Sequence, residues 1–249
     1  MKKANPSAKV AVVTGGGTGI GRECARGLER DGFRVAVLRR RLDRLQPKRG
    51  ERFRPYACDI ADEVAAKRTI SAVARDLGRI DVLVNNAGIF KEIPVERTTR
   101  REIDEIVGIN LVGTINITVA ATPALKAARG AIINISSALS LRPYAGTSLY
   151  SAAKGGMEAY TRALAIELAP YRVRANAILP GLVRTEIFAA QGWTAAQLDA
   201  ELKKWGRIYP LGRVGEAPDI AAIVRYLASD AANWMTGVMW PVEGGKLIA

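Results

Sequence analysis

The sequence predicts an α/β protein in which helices cover both faces of a parallel sheet. Short, nearly uninterrupted runs of valine, isoleucine and alanine recur along the chain, as is typical of strands buried on both faces. Longer segments with apolar residues at helical spacing separate these runs. The first run leads through a glycine-rich turn directly into a helical segment, and this context makes such a turn informative.

Composition limits the chemistry that the chain can perform. Of the 249 residues, 49% are hydrophobic and 24% are charged, which is ordinary for a globular protein. The polar start from Met1 to Lys9 and the lack of an unbroken apolar run predict a cytoplasmic protein with no signal peptide and no membrane span. Histidine is absent from the sequence, which excludes Ser-His-Asp and Cys-His mechanisms and most zinc sites, so we expect no metal. The two cysteines form no disulfide framework, and Cys24 is expected to be a small buried residue rather than an acidified thiol.

The formal net charge of +13 raises the question of an acidic partner such as nucleic acid. Twelve Arg or Lys residues against five acids lie between Arg22 and Arg54, so over half of the excess is concentrated there. The chain lacks an arginine-rich tail, and no aromatic residues alternate with the basic residues near Arg39. We therefore expect no nucleic acid partner.

The first strand and the turn after it form a candidate phosphate site. The valine-rich run from Lys9 to Thr14 is followed by Gly15-Gly16-Gly17-Thr18-Gly19-Ile20-Gly21 and by a helical pattern from Arg22 to Arg30. Glycines let a pyrophosphate approach the backbone, and the helix N-terminus supplies free N–H donors and a positive dipole end. The G-x-x-x-G-x-G spacing differs from the common G-x-G-x-x-G, and a plain flexible turn is the alternative.

The second strand, from Arg34 to Leu38, ends at Arg39-Arg40-Arg41. In dinucleotide-binding folds, the residue about 20 positions beyond the glycines faces the adenosine ribose, and an acid there binds the 2′-hydroxyl. An arginine instead suits a 2′-phosphate, because its planar fork binds oxyanions in pairs. The sequence therefore favours NADP(H) over NAD(H), with a solvated basic loop as the alternative.

Polar residues follow the next two strands. A weaker alternating strand from Phe53 to Ala57 leads to Asp59, which could either accept a hydrogen bond from the adenine amine or cap the helix predicted from Asp62 to Leu77. The fourth strand, Ile80 to Val84, ends in Asn85-Asn86-Ala87-Gly88, where the asparagines can satisfy exposed backbone groups and the small pair allows close approach of a ligand.

The second half of the chain continues the alternation. A helix starting at Thr98 or Thr99 carries Asn110 within its apolar stripe, and a buried asparagine needs a partner. The remaining predicted elements are a strand from Gly130 to Ser137, a helix from Tyr150 to Leu168, a strand from Arg174 to Leu179, a helix from Pro218 to Leu227 and a strand from Val238 to Val242. Residues 184–210 break the pattern and hold several large aromatics, which indicates either a lid over an apolar pocket or an ordinary packed helix pair.

Tyr150 and Lys154 are the strongest candidates for chemistry. Four residues apart on a helix, their side chains lie on one face, one turn apart. A neighbouring ammonium favours phenolate over phenol, so we expect the pKa of Tyr150 to fall from about 10 towards neutrality. A phenol with such a pKa can exchange a proton with a substrate oxygen.

Together these motifs resemble the short-chain dehydrogenase/reductase family in its single-domain form of about 250 residues. The resemblance runs from Val10 to Glu243-Gly244-Gly245. It includes Thr14-Gly15-x-x-x-Gly19-Ile20-Gly21, the N-N-A-G element Asn85 to Gly88, the catalytic tetrad Asn110, Ser137, Tyr150 and Lys154, and Pro180-Gly181-Leu182-Val183-Arg184-Thr185, which resembles the segment that holds the nicotinamide carboxamide.

The resemblance implies a single Rossmann-type domain over residues 1–249, a doubly wound parallel seven-stranded sheet of order 3-2-1-4-5-6-7, with a substrate lid at about 184–210. It implies that Tyr150 is the acid–base, that Lys154 lowers its pKa and binds the nicotinamide ribose, that Ser137 donates to the substrate oxygen and that Asn110 holds a water of a proton relay. Ser136 is the rival for the serine role; Ser137 is preferred because it lies thirteen residues before Tyr150, as in many relatives. The implied cofactor-binding residues are Gly15, Thr18, Gly19, Ile20, Gly21, Arg39, Arg40, Asp59, Ile60, Asn86, Ala87, Gly88, Tyr150, Lys154, Pro180, Gly181, Val183 and Thr185.

The expected activity is NADP(H)-dependent hydride transfer between nicotinamide and a ketone or secondary alcohol, and the expected assembly is a homotetramer or homodimer. The alternatives are an NAD(H)-dependent sugar, polyol or alcohol dehydrogenase and a non-catalytic protein that senses dinucleotides or associates with nucleic acid. Apolar residues after Ser137 and in the lid suggest a hydrophobic or aromatic carbonyl, whereas Arg142 or Arg184 could instead hold a carboxylate or phosphate. Reduction of a 3-oxoacyl thioester, oxidation of a sugar or polyol and reduction of a xenobiotic ketone are all open. The candidate substrate-binding residues are Ser137, Leu139, Tyr144, Tyr150, Phe188 and Trp193.

Overall fold

The computed structural model describes residues 8–41, 50–185 and 194–249. The strands in chain order are β1 (Val10–Thr14), β2 (Arg34–Arg39), β3 (Arg54–Ala57), β4 (Val82–Asn85), β5 (Ala131–Ile135), β6 (Arg174–Pro180), β7 (Val183–Arg184), β8 (Gly215–Glu216) and β9 (Met239–Val242). Seven of them form one sheet of order β3-β2-β1-β4-β5-β6-β9, in which every neighbouring pair is parallel. The predicted α/β class and the predicted strand order are confirmed, because β9 is the seventh strand of that sheet along the chain.

The helices lie between these strands as the spacing of apolar residues predicts. They are α1 (Gly19–Arg30), α2 (Glu63–Leu77), α3 (Arg100–Val107), α4 (Gly113–Ala128), α5 (Ser148–Leu168), α6 (Ala195–Gly206) and α7 (Ala217–Ala228). The helix start predicted at Thr98 or Thr99 is at Thr99, whose hydroxyl accepts from the Glu102 N–H while the Glu102 carboxylate accepts from the Thr99 N–H.

Two hydrophobic clusters, one on each face of the sheet, hold the layers together. Alternate residues of each strand point to opposite faces, so Val10 and Val12 of β1 contribute to one cluster and Ala11 and Val13 to the other. All four are fully buried, which explains why the central strands are nearly continuous in apolar residues. Edge strand β3 is mostly exposed, in agreement with its weaker pattern.

Two features of the fold were not predicted from the sequence. A single π-helical turn, Gly108–Val112, joins α3 to α4 and carries Asn110 at its centre. The second feature is the small parallel sheet that β7 and β8 form beside the main sheet. Both features are too short to produce a periodic pattern of apolar residues.

The continuous helical stretch Arg100–Ala128 is long and apolar enough, by length and composition alone, to cross a membrane. Ile106, Ile117 and Leu125 on this stretch are fully buried within the α/β core, and Pro123 lies inside its second half. The stretch therefore acts as a core helix of the fold.

Candidate active site

A cleft of about 1700 Å³ opens at the carboxyl ends of the sheet strands, where ligands bind in open α/β sheets. Every predicted site residue that the structure describes lines this one cleft. These residues are Gly15, Thr18, Gly19, Ile20, Gly21, Arg39, Arg40, Asp59, Ile60, Asn86, Ala87, Gly88, Asn110, Ser137, Leu139, Tyr144, Tyr150, Lys154, Pro180, Gly181, Val183 and Thr185. Phe188 and Trp193, the predicted lid residues, lie outside the described residues.

The glycine-rich turn packs tightly against the end of β4. A Cβ atom added at Gly21 would lie 2.4 Å from Asn86 Nδ2 and 2.5 Å from the Gly15 carbonyl oxygen, so a side chain at Gly21 would displace the turn. The Thr14 hydroxyl accepts from the backbone N–H groups of Asn86 and Ala87, each at 3.0 Å. Thr14, which was not among the predicted site residues, thereby fixes the ends of β1 and β4 to each other beside the turn.

The N-terminus of α1 is open towards the cleft. Its N-cap residue Thr18 makes no side-chain capping bond, and no acidic residue lies in the first turn of this described helix. The first N–H groups of α1 are therefore donors for an anion.

Arg39 lies directly over the glycine-rich turn. A Cβ atom added at Gly17 would lie only 2.5 Å from Arg39 Nη1, and Arg40 next to it is exposed at the rim of the cleft. A guanidinium at this position is placed to meet an anion that also contacts the turn.

Asp59 does not cap α2. The cap is Asp62, whose carboxylate accepts from the Ala65 N–H at 3.0 Å, whereas Asp59 accepts from the Ala61 N–H at 3.1 Å. The capping alternative for Asp59 is therefore wrong, because the N-cap of α2 is Asp62, three residues after Asp59. Asp59 remains a wall residue of the cleft.

Ser137, Tyr150 and Lys154 meet at the base of the cleft. Ser137 follows the end of β5, and its hydroxyl lies close enough to the phenol of Tyr150 on α5 to lower the pKa of that phenol. Lys154 is 3% exposed, and its Nζ atom donates to the Ile135 carbonyl at 2.8 Å and lies 5.7 Å from the centre of the Tyr150 ring. The helical spacing therefore places both groups in the same cavity, as predicted.

The expected fall in the pKa of Tyr150 is not found. Burial raises the pKa of Tyr150 to about 12, and the hydrogen bond with Ser137 only partly opposes this effect. Burial also lowers the pKa of Lys154 to about 8, against the opposing charge of Glu158. The spacing of Tyr150 and Lys154 in the sequence predicted attraction between phenolate and ammonium. It could not show that both side chains are buried, which disfavours the charged form of each.

Ser136 and Ser137 are adjacent in sequence but differ in their contacts. The Ser136 hydroxyl donates to the carboxylate of Glu158 at 2.6 Å, behind the cleft base. The Ser137 hydroxyl is directed towards Tyr150. This geometry favours Ser137 over Ser136 as the group next to a substrate oxygen.

Asn110 is fully buried and has the partners that a buried amide requires. Its Nδ2 atom donates to the carbonyls of Ile89 and Ile106 at 2.9 and 3.0 Å, and its Oδ1 atom accepts from the Ile89 N–H at 3.3 Å. Asn110 therefore fixes the chain that follows β4 against the π-helical turn.

The outer part of the cleft combines apolar and polar side chains. Phe90 contacts Tyr150 edge to face, with ring centres 5.0 Å apart, and burial together with the nearby charge of Glu92 raises the pKa of Tyr144 to about 12. Tyr209 accepts from the Leu182 N–H through its hydroxyl at 3.1 Å. Phe90, Glu92 and Tyr209 line the cleft but were not predicted. The position of Phe90, just beyond the N-N-A-G element, is the signal from which it could have been found.

The two arginines that were considered for an anionic substrate already have protein partners. Arg142 contacts the backbone carbonyls of Lys246 and Ala249, and Arg184 contacts the carboxylates of Asp199 and Glu216. Arg184 is also absent from the described cleft wall. Neither arginine is placed as a separate anion site.

Pro180, Gly181, Val183 and Thr185 form the wall beyond β6. The Gly181 N–H donates to the Val242 carbonyl of β9 at 3.0 Å, and a Cβ atom at Gly181 would lie 2.8 Å from the Cβ atom of Glu243. This close approach requires a glycine. Among the described residues, no group of three or more Cys, Asp or Glu side chains converges as a metal site.

Comparison with known proteins identifies the family. A family model described as enoyl-(acyl carrier protein) reductase matches residues 15–246. The chain is 34% identical over 241 residues to 3-oxoacyl-(acyl-carrier-protein) reductase of Bos taurus, covering 95% of this chain and 97% of the relative. It is also 34% identical over 241 residues to meso-2,3-butanediol dehydrogenase of Serratia marcescens, covering 95% and 94%.

A solved structure agrees with this assignment. The ligand-free aldohexose dehydrogenase of Thermoplasma acidophilum superimposes with a TM-score of 0.89 at 28% identity, covering 99% of this chain and 96% of that one. The strand order, the cleft at the strand ends and these relatives lead to one conclusion: the chain belongs to the short-chain dehydrogenase/reductase family and is an oxidoreductase of that type.

Proposed function

We propose that this protein is an NADP(H)-dependent oxidoreductase that transfers hydride between nicotinamide and a ketone or secondary alcohol. One observation carries the proposal: the cleft that contains the glycine-rich turn and Arg39 also contains Ser137 and Tyr150, with Lys154 beneath them. A protein that only bound a dinucleotide would have no need of this second group.

The residues of the cleft fit a dinucleotide. The uncapped N-terminus of α1 and the turn at Gly15 to Gly21 would hold the pyrophosphate. Asp59 and Ile60 would contact the adenine, and Asn86 to Gly88 would lie along the ribose. Lys154 would donate to the nicotinamide ribose, and Pro180, Gly181, Val183 and Thr185 would contact the carboxamide. When bound, the cofactor supplies the hydride or accepts it.

The preference for NADP(H) rests on Arg39 and Arg40. A guanidinium over Gly17 offers paired donors to a 2′-phosphate next to the turn. An acid, which would hold a 2′-hydroxyl and repel a phosphate, does not occupy either position.

The chain's own groups can complete carbonyl reduction. The hydroxyls of Ser137 and Tyr150 would both donate to the substrate oxygen and stabilise the negative charge that forms on it. Tyr150 would then give its proton to that oxygen, so that hydride and proton together convert the ketone into the alcohol. The ammonium of Lys154 would stabilise the phenolate that remains. In the oxidative direction, Tyr150 takes the proton back.

The substrate class that we favour is a hydrophobic or 3-oxoacyl carbonyl. Phe90 and Leu139 provide apolar walls beside Tyr150, and the relative from Bos taurus is named for a 3-oxoacyl substrate. An NAD(H)-dependent sugar or polyol dehydrogenase is the second candidate, because Glu92 and Tyr144 offer polar groups at the mouth and two relatives are named for a diol and an aldohexose.

We further propose a single domain over residues 1–249 with a substrate lid at about 184–210, a cytoplasmic location and a homotetramer. Helix α6 supports the lid, since Trp205 and the following residues Ile208 and Tyr209 line the cleft.

The test is turnover by Tyr150→Phe. We expect purified wild-type protein to oxidise NADPH in the presence of a panel of aliphatic, aromatic and 3-oxoacyl carbonyls, and Tyr150→Phe to lose about 1000-fold in kcat while NADPH binding is kept. Tyr226→Phe, a partly exposed tyrosine on α7, is the matched control and should behave as wild type. Unaltered turnover by Tyr150→Phe would refute the proposed mechanism.

A further inference from the structure

A buried carboxylate lies behind the base of the cleft. Glu158 is 4% exposed and follows Lys154 by one turn on α5, as Lys154 follows Tyr150. The three side chains therefore lie along one face of the helix. A carboxylate is costly to bury unless it is hydrogen-bonded and close to a positive charge.

Ser136 provides the hydrogen bond. Its hydroxyl lies 2.6 Å from Glu158 Oε1 and 3.3 Å from the Lys154 carbonyl oxygen. The hydroxyl thus links β5 to the α5 turn that contains both charged residues. The Glu158 carboxylate is fixed in position by this bond and by the rigid helix.

Lys154 provides the positive charge. The groups that face Lys154 in the described structure are few, and they come from four elements: Tyr150 and Glu158 on α5, the Ile135 carbonyl and Ser136 at the end of β5, Gly88 after β4 and Asn110 in the π-helical turn. Tyr150 and Glu158 are the titratable members of this set. Of these two, Glu158 is the group whose charge offsets the loss of water around the ammonium.

We propose that Glu158 is a positioning residue that keeps Lys154 protonated beneath Tyr150 at the pH at which the enzyme works. The proposal rests on the proposed function, in which the charge of Lys154 is required. Glu158 does not itself line the cleft and acts through Lys154.

The direction of the effect follows from charge. Burial lowers the pKa of Lys154 to about 8, and the charge of Glu158 raises it. Removing that charge lowers the pKa of Lys154 further, so the ammonium would be lost within the neutral range. The consequence is a loss of function that grows as the pH rises.

The first experiment titrates Lys154 directly. The side-chain signals of isotope-labelled lysine are followed by NMR against pH in the wild type, in Glu158→Gln and in Glu167→Gln, and Lys154→Arg assigns the signal. Glu158→Gln keeps the shape and an acceptor for Ser136 but removes the charge. Its Lys154 midpoint should fall by about one pH unit, whereas Glu167→Gln, on the exposed face of α5, should match the wild type.

A Lys154 midpoint in Glu158→Gln equal to that of the wild type would overturn the proposal. If Glu158→Gln does not fold, Glu158→Ala decides, because it also removes the charge. A lowered Lys154 midpoint in Glu158→Ala supports the proposal, and an unchanged one overturns it. Since this experiment needs no turnover, its result is independent of whether the proposed function is correct.

The second experiment measures the pH profile of kcat for NADPH-dependent reduction. For a fall of one unit in the Lys154 midpoint from about 8, the ratio of kcat at pH 6 to kcat at pH 8.5 should rise about sevenfold in Glu158→Gln relative to the wild type. A merely structural role would lower kcat by the same factor at both pH values and would leave this ratio unchanged, which would refute the proposal.

Discussion

Arg39 decides the choice of cofactor in our proposal. It is the last residue of β2, and its guanidinium covers Gly17 within the turn that would hold the pyrophosphate. A charge-assisted hydrogen bond is worth about 1.5 to 3 kcal/mol, which corresponds to a factor of roughly 10 to 150 in affinity. Only a ligand that carries an anionic group next to Arg39 would gain this binding free energy.

We predict that Arg39→Asp reverses the cofactor preference. The wild type should use NADPH with a higher kcat/KM than NADH, and the ratio of the two values should fall by about 100-fold in Arg39→Asp, because the new carboxylate repels a phosphate and accepts from a hydroxyl. Arg41→Asp is the matched control: it makes the same change of charge two residues away, at an exposed position that does not line the cleft. A wild-type preference for NADH would contradict our use of the arginines.

Local patterns were predictable from the sequence, but the distant contacts that individual side chains make were not. The glycine-rich turn, the N-N-A-G element and the Tyr150–Lys154 spacing are local, and the structure brings all of them to one cleft. The Glu158 carboxylate accepts a hydrogen bond from Ser136, 22 residues away in sequence, and the Asn110 amide donates one to the Ile89 carbonyl, 21 residues away. The sequence contains no signal for which residues of β5 and α5 become neighbours.

At the scale of elements, Arg184 connects the candidate lid to the rest of the molecule. It belongs to β7, and its guanidinium contacts Asp199 on α6 and Glu216 at the start of α7. Thr185, the next residue, lines the cleft, as does Trp205 near the end of α6. The position of α6 over the substrate end of the cleft therefore depends partly on one arginine.

We predict that Arg184→Ala raises the KM for the carbonyl substrate about fivefold and changes the Kd for NADPH by less than about twofold. The ion pairs of Arg184 are solvent-exposed, so the melting temperature should hardly change. Arg100→Ala removes a comparable exposed ion pair, with Asp104 on α3, and serves as the control. Equal effects on substrate KM and NADPH Kd would show that Arg184 does not act through the lid.

The strands of the main sheet and the helices between them were predictable from the sequence. Buried parallel strands are continuous runs of apolar residues, and in helices an apolar residue recurs every three to four positions. Strands β7 and β8 have two residues each, and they are fixed by contacts such as the Gly215 N–H to the Leu182 carbonyl, 33 residues apart in sequence. No pattern of polarity can appear in two residues. The part of the fold that positions the lid was therefore absent from the prediction.

At the scale of the whole molecule, exposed large apolar side chains lie on several elements, and four of them bear on the proposed assembly. On α4 and α5, Val119 is 63% and Ile166 is 77% exposed; near β9 and the last described residues, Trp234 is 96% and Ile248 is 93% exposed. Exposed apolar surface commonly marks an interface between proteins. We infer that the α4–α5 surface around Val119 and Ile166 and the surface around Trp234 and Ile248 each pair with their own copy, because two distinct self-complementary surfaces on one chain generate a tetramer with three twofold axes.

We predict that the wild type sediments at four times the chain mass of 26.8 kDa and that Val119→Glu combined with Ile166→Glu reduces it to a dimer. Burying a charge at the α4–α5 surface removes that interface, because an unpaired buried charge costs several kcal/mol, while the surface around Trp234 still pairs two chains. Val64→Glu, at a valine of α2 that is 73% exposed but outside both surfaces, is the control and should remain a tetramer. A monomeric wild type, or a double variant that stays tetrameric, would exclude this arrangement. The measurement is sedimentation velocity at several protein concentrations, since a weakened interface dissociates on dilution.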